Sequence, residues 1–216
     1  MQCIICGEES TELIHPKTNN LFHYCQNCDC YVKDESMFPS NETELDVYSK
    51  HQNSLGQKDY VDYLVDFIHK AILPYHRGYK LLEFGSGPTP VLSHILKHRY
   101  QFEVEKFDKH FEKDKQYLEH CYDVISCTEV LEHIANPMEI FKEWLTLLKE
   151  NGIISIMTLF HPSSNQEFFD WWYIRDRTHV IFFSERTFEW IADKFGLEIE
   201  FTDHLRIIVF KKRKKD

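Results

Sequence analysis

The chain has 216 residues, 43% hydrophobic and 28% charged, enough for one full-sized core plus a small appendage but not for two complete enzyme domains. No stretch approaches the ~20 uninterrupted apolar residues of a membrane span, and the opening MQCIICGEES has no basic segment leading into an apolar one, so it does not read as a signal peptide. A cytoplasmic protein is therefore expected. The formal net charge of −10 works against non-specific binding to nucleic acid, which depends on Lys and Arg neutralising phosphates. The basic run Lys211, Lys212, Arg213, Lys214, Lys215 reads as a solvated tail.

Seven cysteines in a reducing compartment point to metal rather than to structural disulfides where they cluster. Cys3-x-x-Cys6 and Cys25-x-x-Cys28 are separated by 18 residues. Each pair sets two thiolates on one side of a tight knuckle, and two knuckles complete the tetrahedral four-sulfur shell that zinc favours. So short a segment lacks the apolar residues for a core of its own, so the metal would fold it. Four thiolates leave no open position, which makes this zinc structural. Cys30 is a spare thiol and His23 an alternative ligand. The expected organisation is a zinc ribbon over 1–45, a linker and bridging helix over 46–78, and a catalytic domain over 79–216.

The polar segment from Met37 to Asn53 reads as the linker. Val61, Leu64, Val65, Ile68 and Ile72 then repeat at helical spacing, with Pro74 just beyond. From Tyr79 short apolar runs alternate with helical stretches, the pattern of an α/β, Rossmann-like doubly wound sheet. Leu81 to Phe84 run into Gly85-Ser86-Gly87-Pro88, followed by a helix through Val91, Leu92, Ile95 and Leu96. Strand, glycine turn and helix are the context of a nucleotide-binding loop, where glycine lets a ligand approach the backbone. Pro90 occupies the third glycine position of the dinucleotide fingerprint, which argues against a nicotinamide or flavin enzyme. A second strand, Phe102 to Phe107, ends at Asp108, about 20 residues past the turn, where an acidic side chain accepts hydrogen bonds from ribose hydroxyls.

A third strand runs from Tyr122 to Cys127 and leads into Thr128-Glu129-Val130-Leu131-Glu132-His133. Pro137 opens a helix through Phe141, Trp144, Leu145 and Leu148, which Asn151-Gly152 ends, and Ile153 to Thr158 reads as a fourth strand. Ser184 is the expected N-cap of a helix through Phe188, Trp190 and Ile191, and Leu197–Thr202 with Leu205–Phe210 form an expected antiparallel terminal pair. Glu129, Glu132 and His133 stand at i, i+3 and i+4, so a helix would gather them on one face. Two carboxylates and an imidazole suit a divalent ion such as Mg2+ or Mn2+. Phe168 to Tyr173 (FFDWWY) admits two readings, a substrate clamp or core. Cys121 and Cys127 read as small buried hydrophobes.

Taken together, LLEFGSGP (81–88), Asp108, YDVISCTEVLEH (122–133), LKENGIISIMT (148–158) and HVIFFSERTFEWIADKFGLEIE (179–200) resemble the class I S-adenosylmethionine-dependent methyltransferases of the group that includes the ubiquinone-pathway methylases. The resemblance covers residues from about 79 to the end, and zinc-ribbon leaders occur in the group. It implies that Glu83, Gly85, Ser86 and Gly87 line the methionine and ribose end of S-adenosylmethionine, that Asp108 binds ribose, and that the backbone at Cys127 and Thr128 lies near the sulfonium. Only 14 residues separate Asp108 from Asp123, too few for the further helix and strand of the usual family, so an edge strand and the adenine contact are missing from the pattern.

Glu-x-x-Glu-His is also similar to the methyltransferases that modify the 3′-terminal ribose of small RNAs. That likeness implies a metal site of Glu129, Glu132, His133 and His179. Without metal, His133 or His179 would serve as general base beside Glu132. The reading preferred is methyl transfer to an oxygen of a small molecule or a nucleotide-like end, with or without help from a divalent ion, a small-molecule acceptor standing ahead of RNA and a protein partner for the ribbon left open. Metal-free C- or N-methylation, or a non-catalytic cofactor-binding adaptor, are the alternatives.

Overall fold

The structure is a computed structural model that describes residues 1–50 and 53–212. Its central sheet has six strands: β4 (Lys80–Phe84), β5 (Glu103–Phe107), β6 (Tyr122–Thr128), β7 (Leu148–Met157), β9 (Leu197–Thr202) and β10 (Ile207–Lys212). Their spatial order is β5-β4-β6-β7-β10-β9. The first four are mutually parallel, and β10 runs antiparallel to both β7 and β9. This is the expected doubly wound sheet with its antiparallel terminal pair.

Alternation along the strands builds two cores. Leu82, Ile125, Ile154 and Ile208 pack on one face with Phe141 and Trp144 of α4 (Pro137–Leu147) and Phe188 and Ile191 of α6 (Glu185–Phe195). Their neighbours Leu81, Val124, Ile153 and Val209 point to the other face, against Val61 and Leu64 of α2 (Lys58–Phe67) and Leu92 and Ile95 of α3 (Val91–Arg99). A parallel strand covered on both sides presents apolar side chains to both faces, which is why these runs are near-continuous in sequence, interrupted by Glu83 and Ser126. The bridging helix is present, and its pattern continues through a wide turn over Ile68–Ile72.

At the β5 edge the sheet simply stops. The chain from Asp108 to Tyr122 forms a bridge and one tight turn, Gln116–Glu119, with no further strand.

The N-terminal segment forms β1 (Thr11–Ile14), β2 (Leu21–Cys25) and β3 (Cys30–Lys33), and its sheet is completed by β8 (Ile181–Phe182) from the catalytic half. Tyr31 and Val32 pair with Phe182 and Ile181. Phe22, Tyr31, Phe168 and Phe182 interlock behind that sheet, with Tyr31 and Phe168 stacked at 3.8 Å. Phe168, on α5 (Asn165–Asp170), is therefore core, whereas Trp172 stays 64% exposed, so the core reading of the FFDWWY segment holds for Phe168 and not for Trp172.

Several sequence expectations are corrected. The linker contains a helix, α1 (Asn41–Tyr48), whose Ser40 side chain accepts a hydrogen bond from the Thr43 N–H. α4 ends at Leu147 instead of at Asn151-Gly152, because Leu148 already pairs with Tyr122 and Lys212 Nζ donates to the carbonyls of Leu145 and Leu148. Cys121 is exposed, although Cys127 is fully buried. β10 starts at Ile207, two residues late, since Asp203 accepts the N–H groups of Leu205, Arg206 and Ile207 in a turn. Lys211 and Lys212 belong to β10 and are not tail, while Arg213, Lys214 and Lys215 lie outside the described residues. Ser184 caps α6 as expected, in a reciprocal box with Thr187.

Candidate active site

A cavity of about 840 Å³ opens at the C-terminal ends of β4, β5 and β6. That is where open α/β sheets bind ligands, because the strand order reverses there and the loops splay apart. Glu83, Gly85, Ser86, Gly87, Asp108 and Thr128 all line it, as do Glu129, Glu132, His133 and His179. Cys127 does not; its side chain is in the core, and burial pushes its thiol well above the usual range.

The glycine turn is locked from two sides. Gly85 has φ +83°, and a Cβ on it would stand 2.3 Å from Val130 Cγ2. Gly87 has φ +64° with open space where a side chain would be. Its N–H donates to Asp108 Oδ2 at 2.8 Å, while Asp108 Oδ1 accepts from the N–H groups of His110 and Phe111. Asp108 thus ties the turn to the end of β5 as well as lining the cavity. Gly85→Ala combines an unfavourable backbone with a clash. We expect it to lower stability by roughly 2–4 kcal/mol, read as the unfolding midpoint.

Glu83 is buried, accepts from the Ser93 N–H at 3.0 Å and from its hydroxyl, and burial pushes its pKa up to about 7. The folded value exceeds the unfolded one, so the contribution of this group is full at low pH and lost as pH rises through about 7. Glu83→Gln should consequently gain melting temperature over the parent at pH 8.5 relative to pH 6 in ligand-free protein. An equal difference at both pH values would refute this.

The Glu-x-x-Glu-His run does not form the expected α-helix. Glu129 sits at φ +53° and only Leu131–His133 make a tight helical turn. The consequence is a division of labour. Glu132, His133 and His179 each bring one ligand atom within 4.8 Å of the others, and Glu129 is outside this group. Glu129 is held instead by the hydroxyls of Tyr63, at 2.5 Å, and Tyr173, at 3.2 Å. Burial first, then the Glu132 charge, pushes Glu129 up to about 7.

Both imidazoles are oriented by backbone. His133 Nδ1 lies 3.0 Å from the Thr178 carbonyl and His179 Nδ1 3.0 Å from the Tyr173 carbonyl. A carbonyl only accepts, so each Nδ1 carries the proton and each Nε2 presents a lone pair. Burial pushes both histidines down, His179 to about 3, so they are neutral at pH 7. Glu132 is fully buried; Oε1 accepts from the Tyr173 hydroxyl at 2.7 Å, and Oε2 has no partner among the described residues. Burial raises its pKa.

Residues the sequence reading missed form the roof and wall. Glu44 and Tyr48 of α1 and Tyr60 and Tyr63 of α2 line the cavity. Glu44 Oε2 binds Lys109 Nζ at 2.8 Å and His110 Nε2 at 2.9 Å, and the Tyr48 ring meets His133 edge-on at 5.3 Å. The legible signal for α1 was Ser40 followed by Glu42 and Glu44, a cap with acids in the first turn.

In the ribbon, the sulfurs of Cys3, Cys6, Cys25 and Cys28 lie within 4.8 Å of one another. Cys3–Cys28 and Cys6–Cys25 are 3.5 and 3.4 Å apart. Cys30 comes within 3.6 Å of both Cys3 and Cys28, a fifth sulfur at the edge of the group. His23 is turned away, bonded to Asp34.

Residues 56–201 match the family model described as a methyltransferase domain. The ubiquinone biosynthesis O-methyltransferase of Glaesserella parasuis serovar 5 (strain SH0165) is 47% identical over 38 residues, 18% of this chain and 16% of that protein, so the match spans about a sixth of the relative's length. An O-methyltransferase family protein from Burkholderia thailandensis superposes with TM-score 0.52 at 11% identity, over 74% of this chain and 57% of that one. The plantazolicin methyltransferase in complex with S-adenosylhomocysteine gives TM-score 0.52 at 14% identity, over 83% and 93%. At these identities the structural likeness is one of fold. Among the described residues, no helix is long and apolar enough to cross a membrane. With the family model covering more than half the chain and the doubly wound sheet in place, the chain belongs to the methyltransferase-domain family and has the class I fold of S-adenosylmethionine-dependent methyltransferases.

Proposed function

We propose that the protein methylates an oxygen of a small molecule, using S-adenosylmethionine and a divalent cation held by Glu132, His133 and His179. The observation that carries the metal is the trio itself: Glu132, His133 and His179 bring one ligand atom each within 4.8 Å of one another, and Glu132 Oε2 accepts no well-formed hydrogen bond among the described residues, with Glu129 and Thr158 its polar neighbours. A buried charged oxygen is rarely left unpaired, and histidines tied through Nδ1–H to carbonyls are the usual outer shell of a metal site. The donor set of two imidazoles and one carboxylate suits Mn2+ or a similar borderline ion. Two relatives are named as O-methyltransferases, which supports oxygen as the acceptor atom.

The sulfonium of the cofactor supplies an electrophilic methyl group, and a divalent ion lowers the pKa of a hydroxyl and orients its oxygen. The rest falls to the chain. The open backbone at Gly87 and the carboxylates of Glu83 and Asp108 fit the cofactor, and the Tyr173 hydroxyl holds Glu132 Oε1 in place. Tyr48, Tyr60 and Tyr63 roof the cavity and keep water from the reacting atoms. The four sulfurs of Cys3, Cys6, Cys25 and Cys28 suit a structural zinc ion, whose Zn–S bonds of about 2.3 Å require sulfurs roughly 3.8 Å apart.

The test is calorimetric titration of Mn2+ into zinc-loaded protein saturated with S-adenosylhomocysteine, beside a His133→Ala control. One-site binding that disappears in the control is the expected result. No binding heat in the parent protein would defeat the metal reading.

A further inference from the structure

A second cavity, of about 550 Å³, lies between the N-terminal sheet and the 174–177 segment. Its lining includes Lys33, Arg175 and Arg177 together with the polar side chains of Thr18, Asn20 and Thr43, and no carboxylate. In a chain of net charge −10 such a concentration of cations is against the trend. Arg175 and Arg177 are exposed and make no hydrogen bond or ion pair among the described residues. Lys33 is only 3% exposed. Its ammonium donates once, to the Asp176 carbonyl at 2.6 Å, and stands 5.9 Å from the centre of the Phe182 ring, which leaves two N–H protons without an acceptor among the described residues. Burial pushes Lys33 down to about 8, and the Asp176 charge nearby offsets only part of that.

The segment that carries these arginines also borders the main cavity. Asp176, between them, lines that cavity with its carboxylate 3.8 Å from His179 Nε2, and Pro39 lines both cavities. The two chambers therefore flank one strip of chain.

We propose that the second cavity binds a phosphoryl group carried by the methyl acceptor, so that Lys33, Arg175 and Arg177 anchor the substrate while its hydroxyl reaches the Glu132–His179 centre. Two guanidinium forks, an ammonium and neighbouring hydroxyls offer more donors than the two oxygens of a carboxylate use, and they match the three of a phosphoryl group. This rests on the methyltransferase reading for the position of the reacting end, though not for the anion site itself.

The experiment is calorimetry on the full chain saturated with S-adenosylhomocysteine, with inorganic phosphate and glycerol 3-phosphate as probes, on the parent, Arg175→Ala/Arg177→Ala and Lys97→Ala/Arg99→Ala. The first pair is at the surface, so folding is not at stake, and the second removes the same charge at exposed positions that line neither cavity. Supporting results are one-site binding of glycerol 3-phosphate at least tenfold weaker in Arg175→Ala/Arg177→Ala, unchanged in the control pair, and tighter than inorganic phosphate. Equal affinity for the two probes would make this a site for free phosphate and overturn the anchoring role. Binding unaffected by the arginine pair, or none to the parent at millimolar probe, would overturn the site. If S-adenosylhomocysteine itself fails to bind while glycerol 3-phosphate binds, the methyltransferase reading falls and the anion site stands.

Discussion

Cys25→Ser is expected to unfold the N-terminal sheet and, with it, to inactivate a centre formed by residues more than a hundred positions away. Removing one of four thiolates would open the shell proposed for zinc, an ion that in such sites contributes folding free energy directly, and loss of such a site costs on the order of several kcal/mol. The damage does not stay local. The Lys33 N–H donates to the Val180 carbonyl at 2.8 Å, and the Val180 N–H donates to the Glu132 carbonyl at 2.8 Å. One hydrogen-bonded row thus joins the ribbon, β8 and the turn that carries Glu132. Hydrogen exchange should show lost protection over 21–33 and 179–183 together, and methyl transfer should fall with it. A chelator should lower the melting temperature of the parent in the same way. Protection lost in 21–33 alone, with 179–183 unchanged, would show that the two halves are uncoupled.

Glu132→Gln should separate stability from activity. The substitution keeps the volume and an acceptor for the Tyr173 hydroxyl but removes a charge that is fully buried with one oxygen unpartnered. Uncompensated buried charge is destabilising, so the melting temperature should hold or rise. Methyl transfer should fall on the order of 10³-fold, because an amide is a poor ligand for a divalent ion and no base. Affinity for S-adenosylhomocysteine should stay within about twofold, since the cofactor end proposed above, at Glu83, Gly87 and Asp108, does not include Glu132. A parallel loss of melting temperature and activity would instead assign Glu132 a structural role.

These outcomes depend on features of unequal visibility in the chain. The strand–turn–helix around Gly85 and Gly87 was legible because local chemistry dictates it: an apolar run ends at glycines that take φ +83° and +64°, and an amphipathic helix follows. The paired cysteines were legible because two knuckles at this spacing have one common use. The missing edge strand was legible from the 14 residues between Asp108 and Asp123 once they were set against the family's usual pattern.

The Glu129–His133 run shows where local reasoning stopped. Helical spacing predicted three ligands on one face, but Glu129 takes a left-handed backbone at the end of β6, with its N–H donating to the Met157 carbonyl. With that backbone Glu129 meets Tyr63 and Tyr173, while Glu132 and His133 meet His179. Likewise α1 has a weak amphipathic pattern, and it is held over the cavity by Glu44, Lys109 and His110, which are distant in sequence.

The sequence by itself determined the doubly wound sheet, the glycine turn and the four-cysteine cluster, because each follows from periodicity or spacing within a short stretch. Only the tertiary structure decided that the N-terminal sheet shares a strand with the catalytic half, that α1 and α2 roof the cavity, and which acidic and histidine side chains converge. Those features rest on contacts such as Val32 with Ile181 and His133 with Thr178, made between segments whose own residues carry no sign of their partner.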